Sequence, residues 1–332
     1  MTSFRTAAAF AAGVLSLALA SGAPAQDADK TIRIGLQPAP LLGFIMQDQK
    51  LLEKRGYTPE YTVFPFSPPI LEGMAAGSID IALLGIGPTL SVVQRDAGVT
   101  YIYDELANAA GMIVGVDSGI EGPADLKGKA IAFPGKSSQL YAMLRMYLAG
   151  TGVDDSDIDL IRANATDMNT LLDHGEVVGI VAWPPYTSEP VRLGTAKQLF
   201  DANGLGIEKA GFWPNSGWGV RTEYAAEHRD AVLAVVESLH EAIRFETEHP
   251  DEAYEIYSKA SGYPVEAVRF MLENGFVSHY PAADSAPSAD AMIKVFRAFE
   301  ENDIVRDLGK AEDDIRAAVD PSFVEEVLAK GQ

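Results

Sequence analysis

Two stretches of this chain each run a buried strand into small, turn-forming residues and then open a helix. One is Leu71 to Leu90, LEGMAAGSIDIALLGIGPTL, and the other is Ala124 to Tyr141, ADLKGKAIAFPGKSSQLY. The first turn of a helix carries N–H groups with no partner inside the helix. A glycine- or proline-rich turn between strand and helix aims those groups into a cleft, where they suit an anion. No nucleophile or metal motif accompanies either stretch, so the pattern points to capture rather than chemistry.

The pattern extends along the first two thirds of the chain. Strands are predicted at Thr31–Leu36, Thr58–Phe64, Ile79–Leu84, Val99–Leu106, Met112–Val116, Lys129–Phe133, Asp159–Arg162 and Val177–Val181. Helices are predicted at Leu41–Arg55, Ile70–Ala76, from Pro88, at Ser137–Gly150 and at Asp167–Leu172. Pro88 suits a helix start because its missing N–H would have no partner there, and Gly56 suits a C-cap. This β-α-β rhythm predicts parallel sheets covered on both faces. After Gly217-Trp218-Gly219 the pattern turns almost wholly helical, with helices expected at Asp230–Glu248, Asp251–Ser261, Pro264–Asn274 and Ser288–Asn302, packed on the first lobe.

The two halves of the α/β region read as copies of one plan. Gly77-Ser-Ile-Asp80-Ile-Ala-Leu-Leu corresponds to His174-Gly175-Glu176-Val-Val-Gly-Ile-Val. Each is followed by a Gly/Pro turn, Gly85-Ile86-Gly87-Pro88 in one and Trp183-Pro184-Pro185 in the other. Two such lobes facing each other leave a cleft at the carboxyl ends of their strands, the usual ligand position in α/β sheets.

Residues 1–25 read as a cleavable secretory signal: Arg5, an apolar run from Ala7 to Ala20, then the small-x-small site Ala23-Pro24-Ala25. The mature chain is then expected in a periplasm-like space. It has no cysteine, which removes a disulfide framework, a thiol nucleophile and a thiolate metal site. Without Arg5, 25 basic side chains stand against 47 acidic ones. Such a surface repels nucleic acid and anionic lipid. It does not bar a small anion from a locally neutral cleft.

The chain resembles the periplasmic solute-binding proteins of the nitrate, sulfonate and taurine ABC transporter family. The resemblance rests on Leu71-Glu-Gly-Met-Ala-Ala-Gly77 with Asp80, Asp125-Leu-Lys-Gly-Lys-Ala-Ile-Ala132, Gly135-Lys-Ser-Ser-Gln-Leu-Tyr141, and Gly175-Glu176 running to Trp183-Pro-Pro-Tyr186. It implies a two-lobed periplasmic-binding-protein fold of type II, closing on its ligand and delivering it to an inner-membrane permease. Lobe one is placed at 31–114 plus 219–332, with the C-terminal helices on it, and lobe two at 115–218. A monomer without cofactor or metal is expected.

The candidate ligand contacts are Gln37, Gly87, Thr89, Ser137, Ser138, Gln139, Trp183, Tyr186, Asn215 and Trp218. Ser137 or Ser138 either caps the following helix or gives its hydroxyl to the ligand. Gly87-Pro88-Thr89 is either a second anion nest or a plain proline-started helix. Gln37 ends the first strand, as a pocket amide or a turn residue. Trp183, Tyr186, Trp213 and Trp218 are either pocket walls or core, as are the weaker candidates Phe44 and Tyr141. A taurine site needs an acid for the ammonium. None lies in Gln37–Gly43 or Trp213–Arg221, and Glu189 is the nearest alternative. An alkanesulfonate or another small organic anion is therefore the expected ligand, with nitrate too small.

Enzymatic readings fail on spacing. No G-x-S-x-G elbow occurs, His240-Glu241 lacks the second histidine of a zinc helix because Arg244 holds its place, and Asp155-x-Asp157-x-Asp159 lacks the glycine of a calcium loop. Two alternatives stay open: a ligand sensor for a membrane receptor, and a pyrimidine-related binding protein or enzyme of the same fold.

Overall fold

The computed structural model describes residues 30–330 apart from 94, 96, 97, 137, 204 and 206–213. The signal segment, Ser137 and Trp213 lie outside the described residues. Among those described, no helix is long and apolar enough to cross a membrane.

Among the described residues, eleven strands form two sheets. The first runs β11-β4-β10-β3-β1-β2, from Val277–His279, Val99–Asn108, Pro214–Arg221, Ile81–Gly85, Thr31–Leu36 and Thr58–Val63. The second runs β7-β6-β8-β5-β9, from Asp159–Arg162, Ala130–Phe133, Gly179–Ala182, Gly111–Gly115 and Ala196–Asp201. In each sheet three strands are parallel, β2-β1-β3 in one and β7-β6-β8 in the other. The same order in both sheets agrees with two copies of one plan.

The sheets are parallel-rich, as expected from the sequence, and each also carries reversed strands. The chain crosses between sheets twice, from β4 to β5 and from β9 to β10, and each crossing delivers a strand against the others' direction. Thus β10 lies antiparallel between β3 and β4, and β5 antiparallel between β8 and β9. The sequence-drawn lobe lines at 114/115 and 218/219 fall inside β5 and β10. β10 also explains the glycine at 217: a Cβ there would stand 2.1 Å from the Tyr103 carbonyl oxygen and the Tyr101 hydroxyl, far inside contact distance.

Apolar faces place the helices. The first sheet carries α1 (Leu42–Asp48), α8 (Arg229–Glu248), α9 (Pro250–Ser261), α10 (Val265–Glu273) and α13 (Ser322–Lys330) on one core. On a second core lies α2 (Ser67–Ala75). The second sheet packs α5 (Ala165–Asp173) on one core. α1 stops at Asp48, short of the predicted Arg55, and the chain turns through Lys50 at φ 53°.

The C-terminal helices do not all rest on the first sheet. α11 (Ala289–Glu301) and α12 (Ala311–Ala318) share a core with α3 (Ile86–Val93) after β3 and with α4 (Gln139–Leu148) after β6. α11 packs against both α3 and α4 and so spans both halves, while α12 packs against α3 and β4 of the first sheet. The reason is an apolar stripe on α11, Met292, Val295, Phe296 and Phe299, wide enough to cover α3 and α4 together.

Candidate functional site

A cleft of about 870 Å³ lies where the carboxyl ends of both parallel strand sets meet. From the first sheet it receives Gln37 after β1, Phe66 and Ser67 after β2, and Gly85 and Gly87 after β3. The second sheet supplies Ser138, Gln139 and Leu140 after β6, and Trp183 and Tyr186 after β8. Asn215 and Ser216 belong to β10, Leu106 to β4, and Ala109 to the connection from β4 to β5. Among the described residues the lining holds no Lys, Arg or His, so any anion there is met by dipoles and neutral donors.

The walls are mostly apolar, as small-molecule pockets are. Phe66 is 55% exposed on one side and Trp183 42% exposed on the other. Trp183 meets Tyr186 edge to face at 6.3 Å. On α2, Pro68, Leu71, Glu72 and Ala75 follow the i, i+3, i+4, i+7 spacing of one helix face, and all four line the cleft.

Polar atoms cluster at the strand ends. Gln37 Nε2 donates to the Leu83 carbonyl at 3.0 Å and to Ser67 Oγ at 3.3 Å. The Gly85 N–H donates to the same Ser67 Oγ at 3.0 Å. Gln37 thus brackets β1, β3 and the start of α2. Ser138 takes the N-cap of α4: its hydroxyl donates to the Gly135 carbonyl at 2.9 Å and accepts from the Tyr141 N–H at 3.4 Å. The capping reading holds for its side chain, while Gln139 and Leu140 bring the unsatisfied first-turn amides to the lining. Gln139 Oε1 is buried without a hydrogen-bond partner. A Cβ on Gly87 would come within 3.2 Å of it, so this amide lies against the opposite lobe's nest.

Of the ten sequence candidates, Gln37, Gly87, Ser138, Gln139, Trp183, Tyr186 and Asn215 come together in the lining. Thr89 and Trp218 do not. Thr89 is fully buried and its hydroxyl donates to the Gly85 carbonyl at 2.8 Å, one turn back in its own helix. Trp218 is fully buried in the first core, its Nε1 donating to Glu105. Phe44 and Tyr141 are core residues. Asn215 Nδ2 donates to the Asn108 carbonyl at 3.1 Å, and its Oδ1 accepts from Ser216.

Sequence reading missed Ser67, Phe66, Glu72 and Tyr263. The helical spacing on α2 was available to reveal Glu72; nothing local marks Tyr263, which arrives from the α9–α10 turn. Glu189 is not in the lining. Its hydrogen bonds to Arg192, at 2.7 and 2.6 Å, hold its carboxyl below the usual range. The acid at the cleft is Glu72, exposed and on the other lobe.

Behind the cleft wall lies a buried polar set. His279 Nδ1 pairs with Glu246 at 2.8 Å, and its Nε2 donates to the Pro40 carbonyl at 3.0 Å. Burial opposes a charged ring, yet Glu246 and Glu105 raise its pKa to about 9. Burial pushes Glu105 up to about 7 against the pull of His279 and Trp218. Glu105 also accepts the Leu42 N–H at 2.9 Å. These groups hold the Pro38–Leu42 turn that forms one edge of the cleft. Among the described residues no cluster of three or more His, Asp or Glu is arranged to hold a metal.

The family model described as NMT1/THI5 like matches residues 69–253. A Bacillus subtilis (strain 168) protein provisionally named an aliphatic sulfonates-binding protein is 27% identical over 308 residues, covering 90% of this chain and 88% of its own. The crystal structure of the periplasmic aliphatic sulphonate binding protein SsuA from Escherichia coli superposes with a TM-score of 0.74 at 23% identity, over 87% of this chain and 92% of that one. The alkanesulfonate-binding protein SsuA from Xanthomonas axonopodis pv. citri, solved bound to MOPS, gives 0.67 at 24% identity, over 84% and 95%. The fold is thus the two-lobed one of periplasmic binding proteins.

Proposed function

From the premise that this chain belongs to the NMT1/THI5-like family, we propose that it is a periplasmic solute-binding protein that captures a small organic anion. The ligand is a sulfonate with an apolar tail, and the recipient is the permease of an ABC importer in the inner membrane. The observation that carries the reading is the cleft itself. Two helix N-termini from facing lobes, with Gly87 on one and Gln139 on the other, converge on a space whose remaining walls are apolar. Convergent first-turn amides stabilise an anion without a buried cation. The names of the B. subtilis and SsuA relatives support sulfonate as the head group.

The cavity, about 870 Å³, is within the range that takes drug-sized ligands. Nitrate would leave most of it to water. The apolar walls with Phe66 and Trp183 at the rim favour a tail. Glu72 supplies the carboxylate that an aminosulfonate requires, which the sequence reading had judged missing; its exposure makes that pairing weak. We place the lobe boundaries where the chain changes sheet, at Asn108–Gly111 and between Ala202 and Asn215, and closure about these two crossings would bury the ligand.

A thermal-shift series on the purified protein tests the reading, with hexanesulfonate, MOPS, isethionate, taurine, nitrate and hexanoate as probes. A ligand at one hundred times its Kd adds about 2.7 kcal/mol, so a clear rise with hexanesulfonate or MOPS is the expected result. A response confined to taurine assigns the tail side to Glu72 and overturns the apolar tail. No response to any anion overturns the anion site.

A further inference from the structure

We infer that Ser67 is a hydrogen-bond donor of fixed polarity in the cleft, selecting an acceptor oxygen on the ligand and rejecting an ammonium or N–H at that position. The inference rests on the anion-binding reading above and names which side chain recognises the head group.

A serine hydroxyl has two lone pairs to accept with and one hydrogen to donate. Both accepting directions at Ser67 are taken. The Gly85 N–H donates to Oγ at 3.0 Å, and a backbone N–H has no other role. Gln37 Nε2 donates at 3.3 Å. The orientation of a glutamine amide is normally ambiguous, but here the Leu83 carbonyl settles it. That oxygen only accepts, it lies 3.0 Å from the same Gln37 atom, and only a nitrogen can face it. With two N–H groups on Oγ, the hydroxyl hydrogen must point elsewhere, and no acceptor for it exists among the described residues.

Ser67 is 4% exposed and lies in the cleft lining at the start of α2. The unused hydrogen therefore faces the space between the lobes. A buried hydroxyl without an acceptor is unfavourable, and an oxyanion placed there relieves it. An ammonium, having only hydrogens to offer, would meet a hydrogen instead of a lone pair. The sulfonate end of a ligand is thus directed toward Ser67 and the Gly85–Gly87 turn, with the tail toward Phe66 and Trp183.

Isothermal titration of the full-length mature protein with hexanesulfonate, and separately with hexylammonium, tests the assignment in wild type, Ser67→Ala, Ser67→Cys and Ser67→Thr. Wild type is expected to bind the sulfonate and not the ammonium. Losing a hydrogen bond to a charged group is worth roughly a ten- to hundredfold rise in Kd. That rise is expected in Ser67→Ala, and in Ser67→Cys, whose thiol keeps the shape but donates poorly. Ser67→Thr, which keeps the hydroxyl, is expected within a few-fold of wild type. Wild-type affinity in both Ser67→Ala and Ser67→Cys overturns the donor role while leaving the anion site intact. Equal weakening in Ser67→Thr reduces Ser67 to a bracket for Gln37 and Gly85. Binding of hexylammonium as tight as hexanesulfonate also overturns it. Wild type that binds no sulfonate fails the functional reading itself, and the donor role with it.

Discussion

His279 shows how a single residue behind the cleft ties binding geometry to pH. Its proton is held more tightly in the folded chain, at about 9, than at the ordinary 6.5 of an unfolded histidine. A proton held that way stabilises the fold. The contribution is complete below pH 6.5, falls as the pH rises, and is gone above about 9. Glu105, raised from 4.5 to about 7, acts in the same direction over a lower interval. Calorimetry between pH 6.5 and 9 should therefore show the melting temperature of the wild type falling, by the equivalent of a few kcal/mol at about 1.4 kcal/mol per pH unit. His279→Gln should start lower and fall less over the same range, its remaining slope coming from Glu105, which loses the His279 charge that holds its pKa down. A wild-type curve with no slope there contradicts a charged His279.

Residue identity alone sorted the candidates only partly. Ser138, Gln139 and Gly87 were legible because turn chemistry between a strand and a helix leaves few roles for them. Thr89 was misleading for a physical reason: a threonine in the first turn can bond back to a carbonyl one turn earlier, and only the backbone path reveals that it does. Trp218 was ambiguous because a tryptophan fills a core or a pocket wall equally well. Its burial against Glu105 follows from β10 entering between two strands remote in sequence.

At the scale of elements, Asp80 ties three strands together. Its side chain, 1% exposed, accepts from the Arg33 backbone N–H at 3.0 Å and from Arg33 Nε at 2.8 Å. Its backbone N–H donates to the Arg33 carbonyl, and its carbonyl accepts from the Arg221 N–H at 2.9 Å. β1, β3 and β10 are thus pinned at the end of the sheet away from the cleft. Removing one member of a buried ion pair costs about 3–5 kcal/mol, and Arg33 is a third exposed. Asp80→Ala should accordingly lower stability by about 3 kcal/mol, read as a shift in the urea midpoint with an unchanged slope. Hexanesulfonate affinity, measured well below the transition, should stay within a few-fold. A loss of affinity without a loss of stability would place Asp80 in the site after all.

Element type was well marked where periodicity was strong, as in α8, α9, α10 and α11, whose ends fall within two residues of expectation. Strand direction was not. A short apolar run looks the same whether it lies parallel or antiparallel to its neighbours, so β5 gave no sign that it reverses. The strands β9, β10 and β11 were not anticipated: β9 alternates weakly, β10 is broken by Gly217 and Gly219, and β11 spans only three residues.

On the scale of the whole molecule, Asn108 at the end of β4 contacts Ala202 after β9 and Asn215 in β10, residues from both crossings between the sheets. This residue is 1% exposed at φ 63°. Its Nδ2 donates to the Gly275 carbonyl at 2.6 Å, its Oδ1 accepts from the Ala202 N–H at 3.1 Å, and its carbonyl accepts from Asn215. Asparagine tolerates this left-handed backbone better than most residues. Asn108→Ala leaves the half-buried Gly275 carbonyl without its donor, at a cost of about 1–3 kcal/mol, while the Ala202 N–H keeps the Ala110 carbonyl at 3.0 Å. The expected result is a loss of about 1–2 kcal/mol in chemical unfolding, together with weaker ligand binding as the relative placement of the lobes loosens. Unchanged stability would mean that the crossings are held by α11 instead.

The sequence by itself determined the α/β class, the two strand–turn–helix units and the duplicated plan, because these rest on local rules: periodicity, caps and turn chemistry between near neighbours. It also determined that two helix N-termini follow buried strands, and so that an anion would be welcome at their turns. Only the tertiary structure decided which strands reverse, that α11 spans both lobes, and which side chains face the cleft. Those outcomes depend on contacts between residues far apart in the chain. Ser67 is the clearest case: its polarity is set by Gln37, Leu83 and Gly85, three groups that no spacing along the sequence places around one hydroxyl.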